Sequence, residues 1–145
     1  MPVLLHGAET WTMNKCRTTK LDAFDMWFQR RILRAHFSQH NKNADVRQQT
    51  KCRPLSAILC CRCLQLFKHI ARADTRLDHS RALRATILGP SCHCNWKRLK
   101  GRPSHTWART VEADLRSANL GLLAAWHRAQ GRTSWMKLVK TAMPQ

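Results

Sequence analysis

Between Pro54 and Arg72 the chain carries its strongest periodic signal. Leu55, Ile58, Leu59, Cys63, Leu66, Phe67 and Ile70 recur at helical spacing and form one continuous apolar face. Pro54 suits the first turn, where a missing N–H costs nothing. An apolar face this unbroken must be buried against other elements, so the segment is the core of a helical assembly. Further stripes supply its neighbours. Residues 18–35 predict a helix with Leu21, Phe24, Phe28 and Ile32 on its apolar side, widened by Trp27 and Leu33. Ser104 is placed to cap a helix in which Trp107, Val111, Leu115 and Ala118 share one side. Two short helices follow, 122–130 with Trp126 and 133–142 with Trp135, Leu138, Val139 and Ala142. Asn43 can cap a short helix over 44–50 that has Asp45 in its first turn.

The remaining stretches are less regular. Residues 3–12 predict a short apolar strand or buried extended segment turning at Gly7. From 73 to 89 the pattern weakens, and ALRATIL reads as a helix end or a short strand. Residues from about 73 to 103 are therefore expected to be an internal connection. The expected fold is mostly α: one small helical bundle over residues 1–145, with irregular loops and a short N-terminal extended segment.

Charge constrains the partner. Lys and Arg number 26 against 8 Asp and Glu, a formal net charge of +18. An excess of that size points outward to a polyanion, nucleic acid first and an anionic membrane surface second. No run approaches the 18 apolar residues of a membrane span, and the first residues lack the cationic lead of a secretory signal. The expected setting is intracellular, nuclear or cytoplasmic, and the expected partner is RNA, DNA or their hybrid rather than a membrane. Arg30, Arg31 and Arg34 gather at the end of the 18–35 helix. There the helix dipole favours cations whether or not a ligand is present. Lys97, Arg98, Lys100 and Arg102 form a second group before the helix capped by Ser104. Within that group KGRP, residues 100–103, resembles the core of an AT-hook, whose extended Gly-Arg-Pro lies in a narrow minor groove. These seven residues are the expected phosphate or groove contacts.

Catalysis is not expected. Metal-dependent phosphoryl chemistry needs clustered carboxylates, and Asp22 and Asp25 are the one close pair early in the chain. On an exposed helix start such a pair acts as a dipole partner. No cofactor is implied. Cys60-x-x-Cys63 and Cys92-x-Cys94, with His93 between the latter, supply four thiols and an imidazole for a zinc site. Against that, Cys63 falls on a buried helical face, and free cysteine commonly behaves as a small hydrophobe. Seven cysteines, an odd number, also argue against a closed disulfide framework.

Six segments are familiar in their order: GAETWT, LDAFDMWFQRRIL, ADVRQQT, LQLFKHIAR, GRPSHTWARTVEADL and RTSWMKLV. Together they resemble the C-terminal part of non-LTR retrotransposon endonuclease–reverse transcriptases of the RTE-like type, over nearly the whole chain. The resemblance implies the thumb and post-palm region, a helical bundle gripping a template–primer duplex by its backbone. It also implies that the palm and endonuclease, which carry the chemistry, are absent here. Departures from the family pattern are His6 in place of a tyrosine, Lys68 in place of a glycine, and the run Cys60, Cys61, Cys63 where arginines are common. Gly131 likewise replaces an aspartate that would cap the last helix. Three readings stand: a non-catalytic nucleic-acid-binding fragment, a cysteine-based zinc or protein-interaction module, and a truncated remnant with no molecular function.

Overall fold

A computed structural model describes residues 3–89, 101 and 105–142. Among them are seven α-helices, two short 3-10 turns and no strand. The helices are α1 (Lys15–Ile32), α2 (Asn43–Thr50), α3 (Leu55–Arg72), α4 (Asp78–Leu88), α5 (Trp107–Arg116), α6 (Leu122–Ala129) and α7 (Arg132–Ala142). The mostly α fold agrees with the periodicities.

Helix α3 is the axis of the molecule, meeting α1, α4, α5, α6, α7 and the first 3-10 turn. It buries Leu55, Ala57, Leu59, Cys60, Cys63, Leu64, Phe67 and Ala71. Its inward face includes Cys60 and Leu64, while Ile58, Leu66 and Ile70 of the expected face are only partly covered. The larger core joins this face to Leu83, Val111, Leu115, Ala125, Ala129, Trp135, Leu138 and Val139. At its centre Phe67 and Trp135 stack with ring centroids 5.6 Å apart. Burying an aromatic pair removes several hundred Å² of apolar surface from water and adds a specific ring contact. Two reciprocal bonds tie helix ends together. Arg72 donates to the Ala129 carbonyl, and Gln130 Nε2 donates to the Ala71 carbonyl at 2.9 Å. Each bond satisfies an acceptor at a helix C-terminus that has no partner within its own helix.

A second, smaller core lies at the other end of α3, where Leu5 and Ala8 meet Leu55 and Leu59. Residues 3–12 do not form the expected extended strand. They make turns and a 3-10 helix, Ala8–Thr10, entered through Gly7 at φ 66. A strand needs a neighbouring strand to satisfy its backbone, whereas here side chains from distant helices do so. Arg62 donates to the Leu5 carbonyl, Trp107 Nε1 to the Glu9 carbonyl at 2.8 Å, and the Cys63 thiol to the same carbonyl at 3.4 Å.

Residues 73–103, expected to be a connection, begin with α4, which buries Ser80 and Leu83 and ends at Gly89 with φ 82. Its apolar content is low but amphipathic, so packing on α3 decides its state where propensity alone does not. The expected capping by Asn43 is also corrected. Lys42 occupies the cap position of α2, and Asn43 lies in the first turn with its side chain engaged elsewhere. The stripes of α5 and α7 are buried as expected at Val111, Leu115, Trp135, Leu138 and Val139. Ser104, the expected cap of α5, lies outside the described residues; Thr106 takes the N-cap position there. No described helix is long and apolar enough to cross a membrane.

Candidate nucleic-acid interface

Helix α1 departs furthest from its sequence pattern. Of the expected apolar stripe, Phe24 is 47% exposed, Phe28 39% and Ile32 63%, and the flanking Trp27 is 56% exposed. The residues it buries are Asp25, Met26 and Gln29. Two sets at i, i+3, i+4 and i+7 spacing are interleaved here, 22/25/26/29 inward and 24/27/28/31 outward. They are offset by two residues, about 200° around a helix of 3.6 residues per turn.

Polar bonds fix that rotation. Asp22 Oδ1 accepts from the backbone N–H of Ser56 at 3.1 Å, so it caps α3, whose own N-cap residue Pro54 makes no side-chain cap bond. Asp25 Oδ2 accepts from Gln29 Nε2 at 2.8 Å, and Gln29 Oε1 accepts from the Thr50 hydroxyl at 2.9 Å, joining α1 to α2. The two aspartates are therefore not on an exposed helix start. Asp22 does serve a helix dipole, but that of α3 rather than its own. Turning both inward leaves the outward side of α1 without a carboxylate.

That outward side is an aromatic and cationic surface. Phe24 stacks with Trp27 at 6.2 Å and with Phe28 at 6.3 Å, the ring planes within 28° and 22° of each other. The Arg31 guanidinium lies 5.7 Å from the Trp27 ring centroid. Past the helix end, the Ala35 N–H bonds the Arg30 carbonyl at 3.0 Å and the Arg34 N–H bonds the Arg31 carbonyl at 3.3 Å. This is a Schellman ending with Arg34 at the left-handed position, φ 52, where glycine is usual. The turn presents the Arg34 side chain beside a groove of about 860 Å³ lined by Trp27, Arg30, Arg31, Arg34, Ala35, His36, His40 and Asn41. None of these lining residues is acidic.

The three arginines expected to act alike do not. Arg30 Nη2 donates to the Asn41 carbonyl at 2.9 Å and to Asn43 Oδ1 at 2.7 Å, so it holds the loop that forms the groove wall. Arg31 and Arg34 are exposed and face the groove. Lys97, Arg98, Lys100 and Arg102 lie outside the described residues. Spacing alone assigns the aromatic members of this surface to the core. The signal that marks them as surface is the second, polar stripe two residues away.

The cysteines occupy a different environment. Cys60 and Cys63 flank a cavity of about 410 Å³ that Asp22, Thr110 and Asp114 also line. Burial, reinforced by the Asp114 carboxylate, pushes the Cys60 thiol far above its ordinary range, and the same two causes push Cys63 up to about 11. Asp114 is itself pushed up to about 6 by burial, against the stabilising contact of Cys60. Metal ligation requires thiolates, and these thiols hold their protons more tightly than free cysteine does. Among the described residues no group of three or more His, Cys, Asp or Glu could hold a metal ion. Cys92 and Cys94 lie outside the described residues.

The chain is similar to an uncharacterized transposon-derived protein of Caenorhabditis elegans, with 24% identity over 147 aligned positions. The match covers 97% of this chain and 50% of that protein, so the chain spans about half the length of the relative it matches. No family model matches the sequence, and no solved structure matches it.

Proposed function

We propose that this chain is a transposon-derived, non-catalytic nucleic-acid-binding module, corresponding to the thumb and post-palm region of an RTE-like reverse transcriptase. Similarity to a transposon-derived protein along almost the whole chain supports the origin. The order of its six segments supports the finer assignment. One observation carries the binding reading: the outward side of α1 and the adjoining groove present Arg31 and Arg34 with no carboxylate among them. In a chain of net charge +18, such a surface attracts phosphates and repels no part of a polyanion. Contacts of this kind read the backbone and tolerate any base sequence.

A salt titration of binding to a short RNA–DNA hybrid tests the reading, with circular dichroism on the same sample. The plot of log affinity against log salt is expected to be linear and steep. Replacing Arg31 and Arg34 together by glutamine should lower its slope by about 0.7–0.9 for each phosphate that the variant no longer neutralises. Neutralising residues 97–102 should lower it further. Affinity independent of salt, or both neutralised variants binding as well as the parent, would overturn the proposal.

A further inference from the structure

We infer that the α1 surface takes single-stranded nucleic acid, stacking unpaired bases on Phe24, Trp27 and Phe28 while Arg31 and Arg34 hold the adjoining phosphates. This rests on the nucleic-acid reading above and narrows it to a strand state.

Phosphate attraction alone does not require aromatic residues. A duplex hides the flat faces of its bases inside its own stack, so a protein binding only the duplex backbone gains nothing from exposed rings. A single strand offers those faces, and stacking on aromatic side chains contributes about 1–3 kcal/mol per base in proteins that bind it. Phe24, Trp27 and Phe28 lie at i, i+3 and i+4, and the Trp27 and Phe28 rings are within 28° and 22° of the Phe24 plane. They therefore form one platform along the helix rather than three isolated contacts. Arg31 extends the platform by another turn, its guanidinium over the Trp27 ring. A base stacking on Trp27 would share that ring face with the guanidinium or displace it toward the adjoining phosphate, on the side where Arg34 lines the groove.

Burial of these rings inside the chain is the ordinary outcome for three aromatics at helical spacing. Here the inward side of α1 is committed instead to Asp22, Asp25 and Gln29. Asp22 accepts from Ser56, and Gln29, which also donates to Asp25, accepts from Thr50; these two bonds to neighbouring helices fix the rotation. The platform is thus held outward by polar bonds, and a second copy of the chain would bring Arg31 and Arg34 against their own kind. That charge favours a polyanion over self-association as the occupant.

Fluorescence anisotropy on the full chain tests this with a mixed-sequence single strand, an abasic single strand of the same length and charge, and a blunt duplex. The base-bearing strand should bind about five- to hundredfold more tightly than the abasic one. Phe24→Ala and Trp27→Ala should erase that preference, bringing the ratio of base-bearing to abasic affinity down to about one. Equal affinity for abasic and base-bearing strands would overturn the inference while leaving the nucleic-acid reading intact. Binding to none of the three probes nor to the hybrid would instead remove the reading beneath it. The abasic comparison needs no variant, so a substitution that disturbed folding would not spoil the test. Light scattering on the same samples gives the remaining outcome: a dimer dispersed by Trp27→Ala would assign the platform to self-association and overturn the inference.

Discussion

Helices α1 and α3 have the same length, 18 residues, and both carry aromatic and aliphatic side chains at helical spacing. They use that pattern in opposite ways. In α3 the apolar face turns inward and organises the main core around Phe67. In α1 Leu21 packs against the smaller core, but the stripe beyond it, Phe24, Phe28 and Ile32, turns outward, and Asp25, Met26 and Gln29 are buried in its place. The difference shows that periodicity fixes the existence of a face, whereas the partners available on each side fix where the face points. Helix α3 is surrounded by elements with complementary apolar surface. Helix α1 meets α2 and the N-terminal end of α3, and what those offer are an orphan N–H at Ser56 and a hydroxyl at Thr50.

The largest effect expected from this contrast is on stability. Phe67→Ala should cost about 3–5 kcal/mol, because it empties the centre of the core and strands the Trp135 ring. Trp27→Ala, a larger truncation on the other helix, should cost less than about 1 kcal/mol, since it removes surface packing only. Urea unfolding of the two variants measures both. Comparable destabilisation would mean that α1 buries its aromatic side after all.

The polar side of α1 gives a sharper comparison. Gln29→Ala should cost about 1–3 kcal/mol by leaving the buried Asp25 carboxylate without its amide donor and breaking the link to the Thr50 hydroxyl, which keeps the Val46 carbonyl as acceptor. A conservative Gln29→Glu change should not rescue it, because two carboxylates would then share one buried site. If both variants melted with the parent, another interaction would be setting the rotation of α1.

Asp114 of α5, which lines a cavity together with Asp22 of α1 and Cys60 and Cys63 of α3, makes stability depend on pH. Its folded pKa is raised from 3.8 to about 6 by burial, so the unfolded chain ionises first as pH rises. Stability attributable to this residue is fully present below about pH 4. It declines through the window up to about 6 and stays lost at neutral pH. Asp114→Asn should therefore stabilise the protein at pH 7 by about 1–2 kcal/mol, discounting for the part of the carboxyl that meets solvent. That advantage should shrink as unfolding is measured at successively lower pH. A constant advantage across the range would detach the effect from ionisation.

The smallest expected effect lies at the end of α1. Arg34 holds a left-handed backbone that costs a side chain about 1–2 kcal/mol, whereas glycine adopts it freely at some entropic cost. Arg34→Gly should thus raise stability by about 0.5–1 kcal/mol while weakening binding to nucleic acid, two readouts moving in opposite directions. A thermal melt and an anisotropy titration on one preparation separate them. Weaker binding without the gain in stability would show a phosphate contact but no backbone strain.

Much of the fold is legible in the sequence. The apolar stripes of α3, α5 and α7 mark helices that are buried where expected, because in each case a single apolar face has no polar competitor. Legibility ends where packing decides between alternatives. The ALRATIL segment has weak propensity and becomes helical by resting on α3 through Leu83. Residues 3–12 look like a strand until the distant donors Arg62 and Trp107 are in place. For the candidate interface the arginines can be named from their clustering and charge. The aromatics cannot, since the same 24/27/28 spacing serves a core as well as a platform. Only the bonds made by Asp22, Asp25 and Gln29 distinguish the two.

The N-terminal turn carries a consequence that concerns time. Its carbonyls at Leu5, Glu9 and Met13 are held by side chains 54 to 98 residues further along the chain, including the indole of Trp107 and the imidazole of His105. A ribosome adding about 5–20 residues per second reaches Trp107 about 5–20 s after Glu9 has been made. Residues 3–13 are thus made well before the donors that complete their hydrogen bonds. Leu55 and Leu59, the apolar partners of Leu5 and Ala8, are made about half-way through that interval, so the turn gains its packing surface before its last hydrogen-bond donors.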